Sequence, residues 1–357
     1  MADGNQTVGP FSMPQAEKRA RLFERLYTLS AQHYVHCAPY ARMLDALHAN
    51  WRAADTLEAL PWLPVGVFKH LRLASVPDEQ IIRELRSSGT SGSLPSRVFL
   101  DRETAANQTR ALARIVGDVL GRARRPMLVV DRNDLLRSGE ALSARGAAVL
   151  GFGNFGRQHS YALQPDLALD LDAVRDFLTR FADEAVLVFG FTFVVWRDLV
   201  QALRSRGERL AFPPGSILLH GGGWKRLTDQ QVGNAQFKQG VAETLGIEQV
   251  HNYYGMAEQV GSIFMECGAG RLHTPDYAEA IVRDPISLAP LPLGSTGVIQ
   301  LLSDLPGSYP GHNLLTEDIG ATLGEDDCPC GRMGRTLRVD GRLPRAELRG
   351  CSDTRAA

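Results

Sequence analysis

Seven small residues stand in a row at Ser87, Ser88, Gly89, Thr90, Ser91, Gly92 and Ser93. Hydroxyls and backbone amides at that density supply donors, and the glycines let the backbone approach a ligand closely. Such a run suits the cradling of an oxyanion, above all a polyphosphate; its bland use is a flexible connection. Four more short groups follow in order. Gly221, Gly222 and Gly223 come directly after an apolar β-like run, where bare backbone lets a flat ring or a phosphate lie against the chain. Asn252, Tyr253, Tyr254, Gly255, Met256, Ala257 and Glu258 offer an aromatic face and a carboxylate able to hold Mg²⁺ through oxygen. Thr316, Glu317, Asp318, Ile319 and Gly320 place an acid that could accept from both hydroxyls of a ribose. Asp340, Gly341 and Arg342 form a turn with a cation for ribose or phosphate. Each group alone is weak. The order of the five is the signal.

These residues need a scaffold. The chain has 357 residues, 44% of them hydrophobic and 22% charged, the values of a folded globular protein large enough for two subdomains. A net charge of -1 predicts no broad nucleic-acid or anionic-membrane surface, and the arginines of residues 110–125 read as a solvated helix face. The first ten residues lack an apolar core for a signal peptide, and the longest apolar run, residues 185–196, is too short to span a bilayer. With five cysteines and no export signal, the expected compartment is the reducing cytoplasm. Helix-like runs at 16–32, 78–86, 104–120, 171–181 and 229–245 alternate with β-like runs at 97–100, 127–130, 185–189, 216–220, 248–253 and 297–302. Thr104 is the expected N-cap of the 104–120 helix and Gly121 its stop. The alternation predicts an α/β chain with a largely parallel sheet. Residues 267–336 are rich in glycine, proline and turns and predict a smaller β-rich part.

In this order the five groups resemble the signatures of the adenylate-forming (ANL) superfamily, which comprises acyl-CoA synthetases, luciferases and peptide-synthetase adenylation domains. Within it the nearest resemblance is to the acyl-protein synthetase (LuxE) branch, with phenylacetate-CoA ligases as more distant cousins. Leu63-Pro64-Val65-Gly66-Val67-Phe68-Lys69, the Ser87–Ser93 loop, Phe189-Gly190-Phe191-Thr192-Phe193 and Leu348-Arg349-Gly350-Cys351 carry it, over about residues 60–351. The resemblance implies an α/β adenylation core over 1–266, a β-rich subdomain closing the nucleotide site over 267–345, and a short tail, 346–357, in place of the usual large mobile C-terminal domain. It implies that ATP and Mg²⁺ are used to join a fatty or aryl carboxylic acid to AMP with release of pyrophosphate. The acyl group then passes to a thiol, amine or hydroxyl of a carrier, a protein or a small molecule. Ser88, Thr90 and Ser91 would grip the pyrophosphate end, Gly221 to Gly223 would border adenine, and Tyr254 would lie on or near the base. Glu258 would sit by Mg²⁺ and the α-phosphate, and Asp318 would bind ribose with help from Arg342. Phe191, Thr192, Phe193, Gly255 and Met256 would line the acid site. The chain departs from the superfamily where a lysine usually follows the loop: Leu94-Pro95-Ser96-Arg97 stands there, with Arg97 as the available cation.

The cysteines divide into two questions. Cys267, His273, Cys328 and Cys330 can form a Cys₃His zinc site of structural type, or remain neighbouring free thiols. Cys351 near the C-terminus is either an incidental tail residue or a thiolate placed to accept the acyl group, as a cysteine does in the luminescence enzymes. His220 and His251 precede two of the site groups, and lone histidines at strand ends most often serve packing. A non-catalytic nucleotide-binding subunit is the competing reading. A P-loop NTPase is disfavoured by the lack of a Gly-x-x-x-x-Gly-Lys-Ser/Thr element, and a dinucleotide oxidoreductase more so, since Gly151-Phe152-Gly153 is followed by Gly156 but no helix-like run starts there.

Overall fold

A computed structural model describes residues 9–86, 94–135, 144–224 and 231–343. The expected phosphate loop, Ser87, Ser88, Gly89, Thr90, Ser91, Gly92 and Ser93, lies outside the described residues, as does Cys351.

Among the described residues fourteen strands follow in chain order: β1 (Leu63–Pro64), β2 (Arg83–Arg86), β3 (Arg97–Leu100), β4 (Arg125–Arg132), β5 (Gly156–Leu163), β6 (Leu187–Phe191), β7 (Ile217–Gly221), β8 (Gln249–Tyr254), β9 (Phe264–Glu266), β10 (Leu272–His273), β11 (Ala278–Arg283), β12 (Thr296–Ser303), β13 (Asn313–Glu325) and β14 (Arg335–Arg342). Twelve form one sheet in the order β11-β12-β13-β14-β10-β9-β8-β7-β6-β4-β5, with β1 paired to β13; β2 and β3 make a separate hairpin. From β5 to β8 every pairing is parallel. From β8 onward the main run is antiparallel.

The parallel half is buried on both faces, as crossover connections require. Met127, Val129, Leu187, Phe189, Ile217 and Leu219 pack on one side against helix α3 (Arg102–Leu120) and helix α4 (Ala144–Gly153), through Ile115, Val116 and Phe152. The alternate residues Leu128, Val130, Val188 and Leu218 face the other layer. That layer holds α5 (Leu171–Arg180), then α6 (Thr192–Val194), which continues as a π-helix over Val195–Gln201 and ends as α7 (Ala202–Ser205), and α8 (Asn234–Leu245). Ahead of them in the chain, α1 (Gln15–His36) and α2 (Ala38–Leu47) cover the antiparallel half. Lys18 and Glu279, both fully buried, lie 3.3 Å apart, and the ammonium also donates to Thr274 Oγ1 at 2.6 Å. Burial pushes the Glu279 carboxyl up, but Lys18 and Arg335 outweigh it and hold it below its ordinary range. This pair pins α1 to β11.

Two local expectations change. Residues 78–86 are not a helix: a 3₁₀ turn, Asp78–Gln80, leads into β2. Glu84 of this run pairs across the hairpin, accepting from Arg97 at 3.0 Å. The N-cap of α3 is Asp101, whose carboxylate accepts from the Thr104 N–H at 2.8 Å, while the Thr104 hydroxyl accepts from Ser308 N–H at 3.1 Å. Gly121 ends α3 as expected, at φ 73°.

Candidate active site

Ligands of open α/β sheets bind beyond the carboxyl ends of the parallel strands. Those ends are in register here: Phe191 beside Gly221, and Gly221 beside Tyr253. A Cβ on Gly221 would meet the Tyr253 ring at 2.5 Å, and one on Gly222 (φ 78°) would meet Phe191 at 2.9 Å. The two glycines therefore let aromatic rings close on the backbone from opposite faces of the sheet. Tyr254, the next residue of β8, donates its hydroxyl to Asp318 Oδ2 at 2.6 Å. Three strands separate β8 from β13 in the sheet, so the sheet curls round this point. Asp318 and Arg342 are cross-strand partners, with Arg342 Nε 3.3 Å from Asp318 Oδ1. The Thr316 hydroxyl accepts from Asp318 N–H at 3.0 Å and donates to Ile299 C=O at 2.7 Å, which fixes the strand segment carrying the acid. Burial, with the Asp318 carboxylate beside it, raises the Tyr254 phenol well above its ordinary pKa, so it stays a donor.

Glu258 follows in a 3₁₀ turn, Ala257–Gln259, and is buried at 6% exposure. Its backbone carbonyl accepts from Tyr309 Oη at 2.9 Å. Burial raises the carboxyl pKa, and a hydrogen bond from Ser96 and the charges of Lys69 and Arg342 oppose that rise. Ser96 follows the expected phosphate loop by three residues in the chain, so the downstream flank of that loop reaches Glu258. Sequence reasoning passed over Ser96 and left Lys69 unassigned; the signal was the Phe68-Lys69 end of the first quoted segment. Arg97, the cation expected to stand in for the missing lysine, is engaged with Glu84 on the β2–β3 hairpin and lies over the Phe99 ring.

Phe191 ends β6, and Thr192 and Phe193 open the helix that follows. Thr192 Oγ1 is 2.9 Å from His220 Nδ1 and 3.2 Å from Gly221 C=O. His220 is fully enclosed, its ring tilted against Phe237 with centroids 4.3 Å apart, and its Nε2 has no partner among the described residues. Burial, with the charges of Lys238 and His251, pushes its pKa down to about 3. Gly255 is exposed, Met256 half-buried, and a Cβ on Gly255 would meet Ile263 at 2.9 Å.

Away from these strand ends, Cys267, His273, Cys328 and Cys330 gather so that their ligand atoms all lie within 4.8 Å of one another. Cys267 Sγ and Cys328 Sγ are 3.7 Å apart, and Cys330 Sγ is 3.3 Å from His273 Nε2. A tetrahedral zinc with bonds of about 2.3 Å sets sulfurs about 3.8 Å apart, whereas a disulfide needs about 2.05 Å. The residues fit the metal and not a disulfide.

No helix among the described residues is long and apolar enough to cross a membrane. A long-chain-fatty-acid–luciferin-component ligase of Vibrio harveyi is 23% identical over 349 residues, covering 95% of this chain and 87% of that one. A phenylacetate-coenzyme A ligase of Thermus thermophilus is 27% identical, covering 93% of this chain and 73% of that one. An open-conformation crystal structure of 2-hydroxyisobutyryl-CoA ligase shares the fold at a TM-score of 0.71 and 17% identity, over 96% of this chain and 80% of that one. The family of acyl-protein synthetases, LuxE, matches residues 7–356. The chain belongs to that family and is an adenylate-forming ligase.

Proposed function

We propose that this enzyme activates a carboxylic acid with ATP and then hands the acyl group to a thiol, amine or hydroxyl acceptor. The acid's carboxylate oxygen attacks the α-phosphorus, the bond from that phosphorus to the bridging oxygen breaks, and pyrophosphate leaves. No protein nucleophile is needed. Two anions must be brought together, so alignment and charge cancellation carry the catalysis. The observation that supports this most is the buried Glu258 carboxyl, which takes a hydrogen bond from Ser96 and feels the charges of Lys69 and Arg342. Glu258 is a hard oxygen donor that fits Mg²⁺, and the ion, when bound there, supplies neutralising charge to the phosphates. Asp318, oriented by Tyr254 and Arg342, accepts from ribose hydroxyls, and Gly221 to Gly223 border the adenine. Ser88, Thr90 and Ser91 contact the departing pyrophosphate. Phe191, Thr192, Phe193, Gly255 and Met256 surround the acid.

The named relatives act on a long-chain fatty acid and on phenylacetate, which frames the acid as fatty or aryl. The thiol of coenzyme A in the complex of the 2-hydroxyisobutyryl-CoA ligase supports a thiol acceptor. Cys351 is a thiol of the chain itself that an acyl-adenylate could acylate. The Cys267, His273, Cys328 and Cys330 group holds a structural Zn²⁺, all four positions being filled. Residues 267–345 act with it as the unit that closes the nucleotide site over the core of residues 1–266. Cysteines outside any disulfide among the described residues, Cys37 and the metal-type Cys267, Cys328 and Cys330, suit a reducing cytoplasmic compartment. Acid-dependent exchange of pyrophosphate into ATP tests the reading: wild-type protein exchanges label with at least one acid, and Glu258→Ala lowers that exchange by about a hundredfold or more. Absence of exchange with every fatty and aryl acid tried would remove the proposal.

A further inference from the structure

Among the described residues next to Thr192 and Gly221, which border the proposed acid site, His220 Nε2 is a buried polar atom with no hydrogen-bond partner. His220 ends the apolar run of β7, facing the layer of the π-helix and α8 rather than the side on which Tyr253 lies. Its Nε2 is buried and unpartnered, which costs free energy unless a ligand completes it. Its tautomer follows from the neighbouring hydroxyl. Thr192 has one proton to give, and Gly221 C=O, which can only accept, takes it at 3.2 Å. The same oxygen must then accept from His220 Nδ1–H at 2.9 Å. The proton of the neutral ring therefore sits on Nδ1, and Nε2 is a bare acceptor. Lys238 and His251, the charged and titratable neighbours, both disfavour a second proton on this ring, and burial disfavours it more.

The surroundings constrain what could reach it. Phe237 lies tilted against the imidazole, Trp196 lies 5.8 Å from Phe237, and Trp224 meets Trp196 edge-on at 6.3 Å. Trp196 lies hard against α8: a Cβ on Gly240 would meet its ring at 2.6 Å. On the opposite face of the sheet, Phe152, Phe189 and Tyr253 form a packed aromatic layer, with Phe152 4.6 Å from Phe189 and 4.7 Å from Tyr253. Both faces at the end of β7 are thus lined by aromatic rings, an environment that suits a flat, compact acid better than an extended alkyl chain. The π-helix over Val195–Gln201 adds to this, since such segments concentrate at functional positions.

We propose that His220 Nε2 is a specificity contact, accepting a hydrogen bond from a hydroxyl or amino group carried by an aromatic carboxylic acid substrate. This rests on the adenylation reading above and narrows the acid within it. Thr192 is the positioning residue, holding the tautomer that makes Nε2 an acceptor. A site built around a buried acceptor rejects the analogue that lacks the donor far more strongly than an apolar site rejects a missing methylene.

The test is acid-dependent pyrophosphate exchange with benzoate, the three hydroxybenzoates, the three aminobenzoates, phenylacetate, 4-hydroxyphenylacetate and myristate. At least one donor-bearing acid should exceed its unsubstituted parent by about tenfold or more in kcat/KM, and myristate should trail it. In His220→Leu, which keeps the bulk and loses the acceptor, that ratio should collapse toward one. Thr192→Val should lower the ratio, and Thr192→Ser, which restores the hydroxyl, should recover it; a merely structural threonine would leave the ratio unmoved. Unfolding midpoints of the three variants near that of wild type show that the change is one of selectivity. Exchange that is indifferent to the donor, strongest with myristate, or equally selective in His220→Leu overturns this inference and leaves adenylation standing. Exchange with no acid at all, fatty or aromatic, would remove both.

Discussion

At the scale of single residues, the site is a contest between burial and charge around Glu258. The carboxyl is pushed up by burial and drawn back by Ser96, Lys69 and Arg342. Of the two cations, Arg342 is 72% exposed on its side chain and already faces Asp318, so its pull is screened by water. Lys69, half-buried in the 3₁₀ turn Val65–Lys69, is the better placed to cancel charge that builds on the phosphates. Lys69→Ala is therefore expected to lower the exchange rate by about ten- to a hundredfold, with Lys69→Arg restoring part of it and Arg97→Ala having much less effect. Steady-state exchange of the three variants at saturating acid checks this, and equal losses for Lys69→Ala and Arg97→Ala would refute it. The sequence named Glu258, Asp318, Tyr254 and Arg342 because each stands in a short group of distinctive residue types. It could not rank Lys69 over Arg97, because that ranking depends on Arg97 meeting Glu84 across a hairpin.

At the scale of elements, the parallel half was legible because its strands are short apolar runs between helices of clear periodicity, as at Leu187–Phe191 and Ile217–Gly221. The β2–β3 hairpin was not, since its charges at 83, 84 and 86 carry no period of two and its partner strand lies beyond the loop. The N-cap of α3 was misplaced by three residues because Asp101, Arg102 and Glu103 are all polar, and only the Asp101 contact to Thr104 N–H tells cap from first turn. The antiparallel half was sensed only as a region rich in turns. There the four metal-type ligands come from different elements: Cys267 after β9, His273 on β10, and Cys328 and Cys330 in the loop before β14. A metal tying these together should make that half depend on it. The purified protein is expected to carry about one zinc per chain by elemental analysis, and Cys328→Ser to lose it together with several degrees of unfolding midpoint. Metal-free protein with an unchanged midpoint in the variant would show the group to be free thiols.

At the scale of the whole molecule, α1 and α2 are fastened over the antiparallel half by buried polar contacts whose pairing no residue pattern reveals. Besides Lys18 and Glu279, His33 of α1 is fully buried, 2.7 Å from Ser75 Oγ and 3.1 Å from Pro306 C=O, and its ring stacks on His312 at 4.9 Å. Burial lowers the His33 pKa from 6.5 to about 4, and lowers His312 as well. A folded-state pKa below the unfolded one means the unfolded chain binds more protons. The stabilisation is thus complete above about pH 6.5 and is lost as pH falls toward 4, amounting to about 3 kcal/mol for His33 at most. Denaturant midpoints taken between pH 7 and 4.5 should fall steadily, and less steeply in His33→Gln; a flat profile would contradict the burial of these rings as neutral groups. The strand ends, the curled sheet and the downstream flank of the expected phosphate loop meet at one place, where we propose that the acyl-adenylate forms. Pyrophosphate exchange into ATP, driven by fatty and aryl acids in turn, measures it most directly. The account predicts exchange that needs both an acid and a divalent cation and that nearly vanishes in Glu258→Ala. Exchange undiminished in that variant, or none with any acid while ATP still binds, would contradict it.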